Sequence, residues 1–173
     1  MSPMTETCRS ARCSCGRVRV EGVGSPIVSA VCYCRDCQAG GRQIEALPGA
    51  VHVRDPDGGT PYLTYRDDRF ACVEGAGLLV GHKLTARSPT ERFVASCCNT
   101  GLYLKFGPGH WTSAYRLRFE SPLPPIEMRT NVRRRQSDLP LPADAPAYRS
   151  FPLALFRRLL VARLAMLFEP RRA

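Results

Sequence analysis

The run Cys32-Tyr33-Cys34-Arg35-Asp36-Cys37 places three thiols within six residues and constrains the fold more than any other stretch of the chain. It stands between an earlier Cys13-Ser14-Cys15-Gly16 and a later Cys97-Cys98. Spacings of C-x-C and C-x-x-C let a tight turn aim several sulfurs at one point about 2.3 Å away, the length of a zinc–thiolate bond. A disulfide framework is the competing reading. Neighbours in such short loops are poorly placed to pair, because a bridge needs Cα atoms roughly 4.4–6.8 Å apart with suitable Cβ vectors. The residues favour zinc.

The 173 residues suffice for one domain with a real core and a short appendage. Met1 to Glu6 show neither a basic start nor an apolar stretch, so no export signal is expected. The expected compartment is then the reducing cytoplasm, where thiols stay free or bind metal. The net charge of +10 is almost entirely arginine, since Lys83 and Lys105 are the only lysines. It concentrates in Arg133-Arg134-Arg135 and in Arg157, Arg158, Arg163, Arg171 and Arg172. That is a solvated basic region or an anion, nucleic-acid or membrane-surface contact. No interleaved aromatics support a base-stacking surface there, and neither nucleic acid nor membrane is the favoured partner.

Residues 8–120 read as one β-rich domain. Val18 to Glu21 alternates apolar and polar, as a half-buried strand does. Ile27 to Val31 is a short β-branched run leading into the cysteine triplet. Further strands are expected at Val51–Val53, Tyr62–Tyr65, Arg69–Val73, Leu78–Val80, Glu91–Ser96 and Leu102–Phe106. Short strands at this spacing predict a small antiparallel β fold stapled by zinc. Prolines then interrupt strand and helix alike, so 121–150 is expected to be an irregular arm. Residues 151–173 carry an apolar and basic C-terminal segment, helical from Phe151 to Phe168. Its arginines break it too often for a membrane span. It packs on the domain or in a homodimer, or lies on a membrane surface.

The cysteine pattern resembles the glutathione-dependent formaldehyde-activating enzyme (GFA) family, which includes centromere protein V. In that family a C-x-C-G comes first, then a C-x-C-x-x-C, then an R-x-F-C-x-x-C-G segment. Cys13-Ser14-Cys15-Gly16 matches the first and Cys32 to Cys37 the second. Arg92-Phe93-Val94-Ala95-Ser96-Cys97-Cys98-Asn99 stands for the third. The resemblance spans about Cys13 to Phe106 and points to an uncharacterised branch.

The resemblance implies a folded-over β architecture, the β-tent, with two zinc sites. Cys13 and Cys15 would join the late cysteines in a structural site. Cys32, Cys34 and Cys37 would hold a second, catalytic zinc with one open position, where family enzymes engage glutathione. Three thiolates make zinc a feeble Lewis acid, suited to binding a fourth thiolate rather than to polarising water. A glutathione carboxylate would want an arginine partner, and Arg35 and Arg42 lie close in sequence. The implied activity is that of a carbon–sulfur lyase acting on thiol–aldehyde adducts.

One expected ligand of the late motif is Ala95 here, while Cys97 occupies a position that is not usually a ligand. Adjacent residues of a strand point to opposite faces, so Cys97 and Cys98 can reach one metal only if the chain turns there. The structural site is therefore Cys13, Cys15, Cys97 and Cys98, or three cysteines plus another group, or it is empty. Cys8 reads as a spare thiol and Cys72 as a small buried hydrophobe. His52, His82 and His110 are scattered, although His110-Trp111 is placed to edge a pocket. Asp36 is a turn residue or a hydrogen-bonding partner of the triplet. Against the enzyme stands a second function, a non-catalytic zinc module that meets a protein, nucleic acid or membrane surface through its basic C-terminal region.

Overall fold

The computed structural model describes residues 7–120 and 122–169. Among these residues ten strands form two sheets. Strands β1 (Cys8–Arg12), β2 (Arg19–Val23) and β5 (Phe70–Glu74) make a small antiparallel sheet in the order β1-β2-β5. The larger sheet uses β3 (Val28–Cys32), β4 (Thr60–Arg66), β6 (Leu79–His82), β7 (Thr90–Ala95), β8 (Thr100–Phe106), β9 (Trp111–Tyr115) and β10 (Met128–Thr130). Its order is β10-β3-β4-β9-β8-β7-β6, antiparallel except where β10 runs parallel to β3. The fold is mainly β, with a helix near its C-terminal end, α2 (Leu153–Phe168).

Alternation along the strands separates two faces of the large sheet. Leu63 and Tyr65 of β4 and Ala114 of β9 point toward the small sheet, where they bury against Val18, Val20 and Phe119. Each such aliphatic side chain removed from water contributes about 1.5–3 kcal/mol. Between Gly101 and Tyr103 the β7–β8 register shifts, leaving Leu102 as the extra residue of a bulge. Leu102 and Tyr103 therefore both serve this core, although they are neighbours in sequence. The opposite face carries Tyr62, Val94, Leu104 and Tyr115 and packs against α1 (Arg35–Glu45), a helix that follows the cysteine triplet directly.

One expected strand is absent, and one helix stands where the sequence reading places no element. Val51–Val53 is loop rather than strand, because its backbone serves the end of α1: Glu45 Oε1 accepts from Val53 N and Arg54 N at 3.1 and 3.0 Å. Helix α1 was not anticipated, since its apolar positions are few and it contains Gly40-Gly41. Those glycines are packing devices. A Cβ on Gly40 would lie 2.0 Å from Nε of Arg92, and one on Gly41 would lie 2.5 Å from Cδ of Arg54. Two arginine side chains thus cross beneath the helix where a side chain has no room.

Residues 122–152 are mostly without regular structure, yet they are tied down at several points. Met128–Thr130 adds β10, and the chain folds back so that Tyr148 N donates to the Arg129 carbonyl at 2.7 Å and Arg129 N to the Pro146 carbonyl at 2.8 Å. Arg129 is buried, bonded by Nε and Nη2 to Asp144 at 2.8 and 3.0 Å, and its Nη1 reaches Tyr33 Oη and Asp57. Gln38 of α1 completes the attachment: its Nε2 donates to the carbonyls of Tyr33 and Arg134, and its Oε1 accepts from Gln136 N.

Helix α2 lies across the open face of the large sheet. Its ties are polar: Arg158 to Glu127 at 2.6 Å, Arg66 to Glu169 at 2.7 Å, and the His110 ring nitrogen to the Leu159 carbonyl at 2.7 Å. Ala162 alone of its described residues is buried, and Leu153, Leu160, Leu167 and Phe168 are exposed on its outer side. No helix among the described residues is long and apolar enough to cross a membrane.

Candidate metal centres and the cavity beside them

All nine cysteines are free thiols. Seven of them gather into two groups whose sulfurs lie within 4.8 Å of one another: Cys13, Cys15, Cys97 and Cys98, and separately Cys32, Cys34 and Cys37. Five of these stand at C-x-C or C-x-x-C spacing, and Cys97 and Cys98 are the late pair whose part the sequence left open. Cys8 and Cys72 stay outside, Cys8 exposed at the start of β1 and Cys72 half-buried on β5 with its thiol on the Glu74 carbonyl. None of the three histidines joins either group.

The first group is assembled by two turns. Gly16, at φ +80°, closes the loop after Cys13, and Cys13 Sγ accepts from Val18 N at 3.2 Å. Residues 96–99 turn between β7 and β8, with Cys98 N on the Ala95 carbonyl at 3.2 Å and Asn99 at φ 53°. The chain therefore turns where adjacent ligands require it, and Cys97 and Cys98 both reach the group. Sulfur–sulfur separations are 3.6 Å for Cys13–Cys15, 3.9 Å for Cys13–Cys97, 3.3 Å for Cys15–Cys97 and 3.8 Å for Cys97–Cys98. A tetrahedron of sulfurs about 2.3 Å from a central Zn²⁺ has edges of about 3.8 Å. The donor set thus fits a closed four-thiolate centre. Ser14 and Thr100 brace it: Thr100 Oγ1 lies 3.2 Å from Cys98 Sγ and 3.1 Å from Ser14 N.

The second group is built on the start of α1. Cys34 caps the helix, its Sγ accepting from Cys37 N at 3.3 Å. A thiolate in that position also meets the positive end of the helix dipole. Hydrogen bonds from the Cys32 and Cys37 thiols, joined by the backbone N–H groups of Cys37 and Asp36, hold the Cys34 thiol down to about 3. The same contacts seen from the other side, together with burial, push Cys32 up to about 12 and Cys37 well above its ordinary value. The triplet therefore carries one thiolate readily and resists a second until a cation replaces the protons. In the four-cysteine group burial opposes ionisation of Cys98, but bonds from Ser14 and Thr100 bring it down to about 5. Burial, then the hydrogen bond with Cys15, pushes Cys97 up to about 12.

Two further donors reach the triplet. Asn131 Nδ2 lies 3.8 Å from Cys32 Sγ and Tyr62 Oη 3.6 Å from Cys37 Sγ. Asn131 adopts φ 60°, a left-handed conformation that asparagine tolerates better than most residues. Nothing local in the sequence signals Asn131, because 99 positions separate it from its partner.

The triplet opens onto a cavity of about 790 Å³ between the large sheet and α2. Alternate residues of five strands, β3, β4, β7, β8 and β9, line it on the sheet side, including Ala30, Thr64, Ser113 and Leu104. Leu155 and Leu159 of α2 form part of its roof, and Trp111, the one tryptophan of the chain, stands in its wall. Asp36, Arg35, Arg133 and Arg134 also line it. Arg42 does not; its Nη1 is bonded to Gln136 Oε1 at 2.9 Å. The four-cysteine group takes no part in this cavity. One centre is thus enclosed by its own ligands and the other opens into space large enough for a small molecule.

One cysteine group joins the small sheet to the large one and the other sits where β3 meets α1, so this is a β protein carrying two ligand sets suited to a soft metal. Residues 8–52 match the family described as "Glutathione-dependent formaldehyde-activating enzyme". The match holds Cys13, Cys15 and the triplet, and ends before Cys97 and Cys98. A search of curated proteins gives no match. Among solved structures, a Rhodobacter sphaeroides protein is similar at 17% identity with a TM-score of 0.46, over 66% of this chain and 91% of that one.

Proposed function

We propose that the chain is a zinc-binding, cytoplasmic GFA-like enzyme, a carbon–sulfur lyase acting on adducts of a thiol such as glutathione with an aldehyde. One observation carries this reading: the three-cysteine group, and not the four-cysteine group, lines the cavity. Cys13, Cys15, Cys97 and Cys98 would hold a structural zinc, and Cys32, Cys34 and Cys37 a second. Bound there, the metal supplies a coordination position that favours the thiolate form of an incoming thiol.

The chain's own groups do the rest. Arg35, Arg133 and Arg134 line the cavity with positive charge suited to the carboxylates of a peptide thiol. Tyr62 and Asn131 direct donors at Cys37 and Cys32, fixing the sulfurs. In the lyase direction the carbon–sulfur bond of the adduct breaks, and its electron pair stays on sulfur. The hydroxyl oxygen of the adduct forms the carbonyl, and its proton passes to the released thiolate. No oxidant or reductant is needed.

Cys34→Ser is expected to lower turnover of glutathione–aldehyde adducts by at least about a hundredfold, followed by NMR of the adduct. Full turnover in the variant would end the assignment. The alternative, a non-catalytic module, has the exposed outer side of α2 in its favour, including a homodimer through that helix. Its test is removal of residues 151–173, because a longer deletion would take β10 from beside β3. No adduct turnover by the full chain, with self-association lost on that removal, would support the module reading.

A further inference from the structure

The cavity is far larger than a one-carbon electrophile requires, and its composition is specific. Its floor is a trough: Ala30, Thr64 and Ser113 keep the centre low, while Val28, Leu104 and Phe106 raise its sides. At the end next to the triplet lies Arg92, 1% exposed. Its Nη2 donates to the Asp36 carbonyl at 2.7 Å, within the C-x-C-x-x-C loop, but its Nε and Nη1 are buried without a partner. A buried guanidinium with unmade hydrogen bonds is costly, and structures keep such a group where something completes it. Among the described residues no carboxylate pairs with it.

We propose, resting on the reaction assigned above, that the electrophile is an aldehyde with an apolar body, aromatic or medium-chain, whose oxygen is held by Arg92. The body lies in the trough beneath Leu155 and Leu159. The oxygen receives the free N–H of Arg92 beside the sulfur that attacks the carbonyl carbon. As the carbon–sulfur bond forms, the carbonyl pair moves onto that oxygen, and the thiol proton neutralises it. The guanidinium meets the charge where it develops. The region of apolar wall sets substrate length, and Arg92 sets the position of the reacting end.

Straight-chain primary alcohols from 1-butanol to 1-octanol test this without any reaction, because they carry the same apolar body and one oxygen. Trp111 lines the cavity and reports their binding by its emission. Each added methylene is expected to tighten binding about fourfold. Ala30→Phe, which fills the floor, is expected to flatten that dependence. Arg92→Met, which keeps length and removes the donors, is expected to weaken every alcohol about tenfold while leaving the dependence on length intact. Affinity independent of chain length in the unaltered protein would overturn the trough, and an unmoved affinity in Arg92→Met would overturn the role of Arg92. A graded alcohol series with no turnover of any aldehyde adduct would sink the lyase reaction and leave the apolar site standing.

Discussion

Cys13→Ser is expected to abolish the cooperative thermal unfolding of this protein. Cys13 is 3% exposed and its sulfur sits between Cys15, Cys97 and the Val18 amide. It joins the turn between β1 and β2 to the turn between β7 and β8, and so pins one sheet to the other. A structural zinc contributes on the order of 10 kcal/mol to folding, whereas a domain of this kind is stable by only about 5–15 kcal/mol. Losing a ligand from a closed site therefore removes most of the margin. Cys8→Ser, at an exposed strand end, is the control and is expected to move stability by less than about 0.5 kcal/mol. Circular dichroism melts of both decide the matter. A Cys13→Ser melt within a few degrees of the parent would mean that packing, not metal, joins the sheets.

Arg129→Ala is the second large effect, at about 3–5 kcal/mol. The guanidinium is 4% exposed and neutralises Asp57, which is 5% exposed and accepts Tyr33 Oη at 2.6 Å. Its removal leaves a carboxylate buried without a cation, and it also frees the returning chain at Asp144. Arg129→Lys keeps the charge but cannot bond Asp144, Tyr33 and Asp57 together, so an intermediate loss is expected. Asp144 itself is held below the usual carboxylate range, chiefly by its hydrogen bonds from Arg129. Its contribution is present above about pH 4 and fades as pH falls, modestly because the carboxylate is half exposed. Urea titration of the variants measures the losses. A change below about 1 kcal/mol for Arg129→Ala would show the arm to be an ornament of the fold.

How far the chain could be read in advance follows from the range of its interactions. The strands with alternating or β-branched residues were legible, as β2, β3, β4, β7 and β8 show, because each carries its own pattern. Five of the clustered cysteines were legible because C-x-C and C-x-x-C spacing is local chemistry, whereas the place of the adjacent Cys97 and Cys98 stayed open in the sequence. Strand β1, with Arg9, Ser10 and Arg12 among its five residues, carries no such pattern. Helix α1 was hidden by Gly40-Gly41, whose reason lies in Arg92 and Arg54, residues distant in sequence. Strand β10 is three residues amid prolines and exists because β3 offers an edge. Arg92 stood in the arginine position of the late motif, so its place was visible and its burial was not. The roofing of the cavity by α2 depends on His110, Glu127 and Arg66 meeting the helix, and no pattern within residues 151–168 announces them.

The cysteine geometry predicts one closed zinc centre and one that opens onto the cavity. Elemental analysis of protein purified without chelator, repeated on Cys34→Ser, addresses it most directly. Two zinc ions per chain, falling to one in a variant that still folds, is the expected result. A single zinc that survives Cys34→Ser would contradict it, leaving the triplet without metal and the cavity without its reacting centre.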